Sequence, residues 1–179
     1  RSIATYAGLL ADYPGQPKLW MSQGHALKTA GRQPESIDAY RRSITLEPSL
    51  GEAYWSLANL KTYRFAPTEI EAMATQLARS DLGAEDRLHF HFALGKAMED
   101  AGDHAAAFAH YAEGNRLRRA TLAYDADETT ALVRRAQALF TPDFFASRRG
   151  SGANAPDPIF VVGLPRSGST LVEQILASH

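Results

Sequence analysis

The sequence predicts a mainly α chain: a solenoid of stacked helical hairpins followed by the first strand, loop and helix of an α/β domain. Three observations predict it. Aromatic and proline positions recur with a period near that of a helical hairpin. Gly and Pro fall between segments of helical hydrophobic spacing. Near the C-terminal end, an apolar run enters the glycine-bearing turn "GLPRSGST" and leaves it as an amphipathic segment.

The period comes first. Tyr6 recurs as Tyr40 and Pro14 as Pro48, both 34 residues on, and Trp20 aligns with Tyr54 at the same spacing. The first whole unit, roughly residues 17–50, carries Trp20, Gly24, Leu27, Gly31, Tyr40 and Pro48. Trp20, Met21, Gly24, Leu27 and Lys28 recur near helical spacing, and Gly31 breaks that helix. Gly24, lacking a side chain, admits the partner helix closely. Pro34 suits a first helical turn. Ile37, Tyr40, Ile44 and the aliphatic part of Arg41 mark one face of the second helix, which Pro48 ends. A second unit starts near Gly51, but its later half, "FAPTEIEAMATQLARS", is out of register. In a third unit Gly95, Gly102, Ala107 and Tyr111 repeat Gly24, Gly31, Ser36 and Tyr40 at a spacing of 71 residues, about three more than two periods. Residues 1–14 read as the second helix of a preceding unit, making about three and a half repeats, near the minimum for a stable solenoid.

This pattern resembles the tetratricopeptide repeat, with residues 1–122 as the solenoid. The resemblance implies a concave groove lined by inner helices, a protein-interaction or acceptor-docking scaffold. Alignment of the units puts Lys18, Met21, His25 and Lys28 on that face in the first, Glu52, Trp55, Asn59 and Thr62 in the second, and His89, Phe92, Lys96 and Glu99 in the third. Met21, Trp55 and Phe92 take equivalent positions, an apolar stripe able to anchor a peptide or to pack on neighbouring helices or another domain.

Residues 123–146 read as a connecting or capping helix. Asp125 and Glu128 make a capping arrangement, and Leu132, Val133, Ala136, Leu139 and Phe140 form an apolar stripe. Residues 147–157, "SRRGSGANAPD", read as a linker. Residues 158–179 then begin another domain, with a buried parallel strand expected at Ile159–Val162 and a helix marked by Leu171, Val172, Ile175 and Leu176.

Strand, glycine turn and helix together set unpaired backbone N–H groups before an anion. Against the Walker pattern G-x-x-x-x-G-K-[ST], Gly163, Gly168 and Thr170 fit, but Ser169 stands where the lysine belongs. Without that lysine ordinary ATP hydrolysis is disfavoured. The cation is Arg166 instead, two residues before the second glycine. "GLPRSGSTL" resembles the phosphosulfate loop of sulfotransferases. With "EQILASH" it is most similar to the protein-tyrosine sulfotransferase branch and to bacterial proteins joining tetratricopeptide repeats to a sulfotransferase domain. The resemblance implies a P-loop-like fold and 3′-phosphoadenosine 5′-phosphosulfate (PAPS) as sulfonate donor, with a hydroxyl or amine as acceptor. It also implies roles: Arg166 on the bridging oxygens and the leaving-group charge, with Pro165, Ser167, Gly168, Ser169 and Thr170 forming the 5′-phosphate cradle. The general base and the 3′-phosphate contacts are expected beyond His179. Two other readings of the same residues are a non-catalytic repeat scaffold and a divergent P-loop nucleotide enzyme.

Composition narrows the rest. The chain has 179 residues, 45% hydrophobic and 22% charged, and a net charge of -1. No basic field recruits nucleic acid. No cysteine is present, so disulfides and thiolate metal sites are excluded within these residues. No metal site is expected: His89 and His91 at i and i+2 diverge by about 200° around a helix. No apolar run approaches a membrane span, and a cytoplasmic setting is expected.

Overall fold

The computed structural model describes residues 2–153, 155 and 157–178, so parts of the expected linker and the terminal His179 lie outside the described residues. The chain divides into two compact units, with the division between Ala123 and Tyr124.

Among the described residues, the first unit holds seven helices: α1 (Ser2–Asp12), α2 (Pro17–Thr29), α3 (Gln33–Leu46), α4 (Gly51–Ala58), α5 (Pro67–Leu77), α6 (Ala84–Asp100) and α7 (His104–Thr121). Prolines start three of them. Pro17, Pro34 and Pro67 occupy first-turn positions, where the missing N–H has no partner to lose. Two hairpins, α2–α3 and α6–α7, are built alike. After α2, the Arg32 N–H reaches the Leu27 carbonyl at 3.0 Å and the Gly31 N–H reaches Lys28 at 3.0 Å. After α6, Asp103 bonds Met98 at 3.0 Å and Gly102 bonds Glu99 at 3.1 Å. Both are Schellman turns, which need a left-handed residue, and Gly31 (φ 75°) and Gly102 (φ 79°) supply it.

The helices of each hairpin meet through a glycine. A Cβ on Gly24 would lie 2.5 Å from Cε1 of Tyr40, and one on Gly95 would lie 2.7 Å from Cδ1 of Tyr111. The Tyr40 ring therefore lies on the α2 backbone and is fully buried. Ser36 tightens the same contact by donating to the Gly24 carbonyl at 2.9 Å.

The middle segment departs from this plan. α4 stops after eight residues, and the connection to α5 passes through Lys61 in the left-handed region (φ 68°). α5 then packs chiefly on α6, with Met73 reaching Tyr54 and Ala58 of α4 in the core. Tyr63 and Phe65, from the connection, fill the space beside Leu57 and Tyr40. The out-of-register half of the second unit is thus an opened hairpin, with α4 held between α3 and α6.

Two clusters make the core. One gathers Met21, Tyr40, Leu50, Ala53, Leu57 and Tyr63; the other gathers Tyr54, Met73, Phe90, Ala93 and Leu94 with neighbours. Where α4 meets α6, the Gly51 N–H donates to Asp86 Oδ1 at 2.9 Å. This carboxylate caps the start of α4 from another helix.

His89, His91 and His110 lie in or at the edge of this core, and burial lowers the pKa of each below the ordinary 6.5. A depressed folded pKa means that the unfolded chain takes up protons first. Stability is then complete above about pH 6.5 and falls as pH drops through the folded values. The urea midpoint at pH 5.5 is expected below that at pH 7.5; equal midpoints would contradict this account.

The second unit contains α8 (Ala126–Leu139), α9 (Pro142–Ala146) and α10 (Ser169–Ala177). Asp125 caps α8 by accepting from the Asp127 N–H at 2.8 Å, and Thr141 caps α9 through Phe144 at 3.2 Å. Phe140, Phe144 and Phe145 form a small aromatic cluster. One expectation fails. Residues 159–162 form no strand, and Phe160 is 86% and Val162 92% exposed. A parallel strand is held by its neighbours' hydrogen bonds, and no strand is present among the described residues to supply them.

Candidate functional site

The loop from Gly163 to Thr170 is shaped by three residues. Pro165 presets its own φ near the value required by the second position of a turn. Arg166 follows at φ 65°, and the Ser167 N–H closes the turn on the Leu164 carbonyl at 3.1 Å. With proline second and a left-handed third residue, this is a type II turn. Its third position ordinarily belongs to glycine; in an L-residue the conformation costs about 1–2 kcal/mol. Such strain is characteristic of functional sites. Arg166 is exposed.

Gly168 comes next at φ 90° and stands at the N-cap of α10. A Cβ on Gly163 would lie 2.5 Å from Ser167 Oγ, so the loop folds back on its own start. The first helical N–H to bond back is that of Val172, to the Gly168 carbonyl at 3.1 Å. The N–H groups of Ser169, Thr170 and Leu171 precede it and have no acceptor within the helix. Ser167, Ser169 and Thr170 are exposed beside them. The segment thus brings an arginine, three hydroxyl side chains and an open helix N-terminus within eight residues, and the helix dipole there favours negative charge.

This segment also matches known proteins. Residues 158–179 match the model of the sulfotransferase family. The whole loop and α10 lie within that match, and it supports a sulfotransferase-like function in general terms. A second similarity spans both units. An Aquifex aeolicus (strain VF5) protein described as "Uncharacterized protein" is 30% identical over 155 residues, covering 87% of this chain and 20% of that protein. The chain therefore spans about a fifth of the length of that relative.

The expected groove residues fall into four environments. Met21 is buried in the core. Trp55 and Phe92 are half-buried with ring centroids 5.4 Å apart, and Phe92 also reaches Tyr111 at 6.4 Å. His25, Lys28 and Asn59 are exposed, with His25 Nδ1 2.8 Å from the Tyr40 hydroxyl. Lys96 is ion-paired to Asp100, which Arg64 also engages at 2.7 Å.

One pairing is not readable from the sequence. His91 lies with its Nδ1 3.1 Å from Nδ1 of His110, across the α6–α7 hairpin. The two residues are 19 apart in the chain, and only the observed hairpin register brings them together. The signal that could have found them is their placement on facing helices in the aligned third unit. Among the described residues, no group of three or more His, Asp or Glu side chains is placed to hold a metal ion, and no helix is long and apolar enough to cross a membrane.

Proposed function

We propose that the intact protein is a PAPS-dependent sulfotransferase, that Gly163–Thr170 binds the phosphosulfate end of the donor, and that residues up to Thr121 are a tetratricopeptide scaffold. The observation that carries the first part is the strained Arg166 turn set directly before the open N-terminus of α10, inside the sulfotransferase match.

The residues present suit this ligand. A 5′-phosphate needs several donors, and on this reading the backbone N–H groups of Gly168–Thr170 and the hydroxyls of Ser169 and Thr170 supply them. In sulfonate transfer the S–O bond to the phosphate breaks and a bond to the acceptor oxygen or nitrogen forms, the acceptor's proton passing to a general base and charge being left on the phosphate. On this reading Arg166 offsets that charge, and its guanidinium stays protonated at any working pH. Fixed donors of this kind lower barriers chiefly by electrostatic preorganisation. The Walker lysine position holds Ser169, which disfavours the nucleotide-hydrolase alternative.

The two Schellman turns and two glycine–tyrosine contacts, repeated 71 residues apart, support the repeat reading. On that reading the half-buried Trp55–Phe92 pair and the exposed His25, Lys28 and Asn59 are the surface offered to an acceptor protein, a peptide or another domain of the same protein.

Calorimetric titration of the intact protein with 3′-phosphoadenosine 5′-phosphate, in EDTA, tests the donor assignment. Saturable binding near one molecule per chain is expected, and in a separate magnesium buffer no displacement by magnesium-ATP at equal concentration. Absent binding, or binding that requires magnesium, would overturn it.

A further inference from the structure

We propose that His91 and His110 form a two-histidine site for a borderline divalent transition metal, zinc or nickel, bracing helices α6 and α7. The argument begins with geometry. The two Nδ1 atoms lie 3.1 Å apart, and the rings meet at 46° with centroids 5.3 Å apart. Zinc–imidazole bonds are about 2.0–2.1 Å, so this separation corresponds to a ligand angle of about 98°. That lies between the octahedral and tetrahedral values. Two imidazoles ordinarily reach such proximity either by sharing one proton or by sharing one cation.

The local chemistry suits the cation. Both rings are half-buried, and burial disfavours their protonated forms, so each can offer a nitrogen lone pair. On binding, the ring that donates its Nδ1 proton shifts it to Nε2, and no net proton is lost. Imidazole nitrogen selects zinc, copper and nickel over magnesium and calcium, which prefer oxygen. Glu113, one turn beyond His110, adds negative charge near His91, while Arg87 and Arg116 add positive charge there. Glu113 is held by Arg116 through two bonds of 2.6 and 2.7 Å, so two protein nitrogens bind and water completes the coordination.

A metal bound only by the folded hairpin raises stability by linkage. At a free concentration one hundred times Kd, the folded-to-unfolded ratio rises about 100-fold. The test is calorimetric titration of the full-length, tag-free protein with zinc chloride and nickel chloride, with magnesium chloride alongside. One zinc equivalent is expected to disappear in His91→Ala and again in His110→Ala, and to persist in His104→Ala, whose residue is exposed at the start of α7. Magnesium should give no saturable heat at that site. In the unmodified protein, the ring nitrogens of His91 and His110 should shift together in nitrogen NMR as zinc is added, a readout independent of whether the variants fold. Zinc stoichiometry unchanged by either substitution, or ring shifts confined to other histidines, would overturn the proposal.

Discussion

Replacing Arg166 with alanine in the intact protein is expected to lower sulfonate transfer by about 10²–10³-fold, the usual cost of removing one preorganised donor from a site of developing charge. The backbone sharpens the test. Arg166 sits at φ 65°, where an arginine costs more than a glycine would. Arg166→Gly should therefore fold at least as stably as the wild type while losing transfer to the same degree as Arg166→Ala. Arg166→Lys keeps the charge but loses the planar fork, and an intermediate loss is expected. Steady-state transfer measured beside thermal unfolding separates the outcomes. Undiminished transfer in Arg166→Ala would remove this residue from the chemistry.

Gly51→Ala carries the largest expected cost to stability. A Cβ at this position would collide with the carbonyl oxygen of Asp86, and it would lie 3.0 Å from both the carbonyl carbon and Cα of that residue. Because the obstruction is backbone, no rotamer change relieves it. Relief requires α4 and α6 to separate, which also weakens the Gly51–Asp86 cap. Overpacking of this kind costs about 1–3 kcal/mol, and the upper end is expected here. Gly8 in α1 is the control, since nothing lies within 4 Å of its Cβ position. Gly8→Ala should gain up to about 1 kcal/mol from helix propensity. Urea unfolding of the two variants should move the midpoint in opposite directions. A Gly51→Ala protein as stable as wild type would contradict the close packing of α4 on α6.

These residues also show how far the sequence can be read. Gly24 and Gly31 announce themselves, because a close helix approach and a left-handed cap both select glycine, and their recurrence as Gly95 and Gly102 makes the hairpins visible. The opened middle hairpin does not. Lys61 carries a positive φ without a glycine to signal it, and no local spacing marks that α5 pairs chiefly with the helix after it. The cap of α4 by Asp86 is equally hidden, because its donor and acceptor are 35 residues apart. Apolar run, turn and amphipathic segment at 159–176 were legible as a pattern, and the helix formed. The run at Ile159–Val162 did not become a strand, since a strand depends on partners that local sequence does not contain. Gly168 could be expected as the entry to α10; the left-handed Arg166 could not, although Pro165 before it already restricted the turn.

The central claim is that the Gly163–Thr170 loop is a phosphosulfate cradle. The most direct measurement is a crystal structure of the intact protein with 3′-phosphoadenosine 5′-phosphate bound. The 5′-phosphate is expected at hydrogen-bonding distance, about 2.7–3.2 Å, from the backbone N–H groups of Gly168–Thr170, with the Arg166 guanidinium on the same group. A nucleotide bound elsewhere, with this loop empty, would contradict the account.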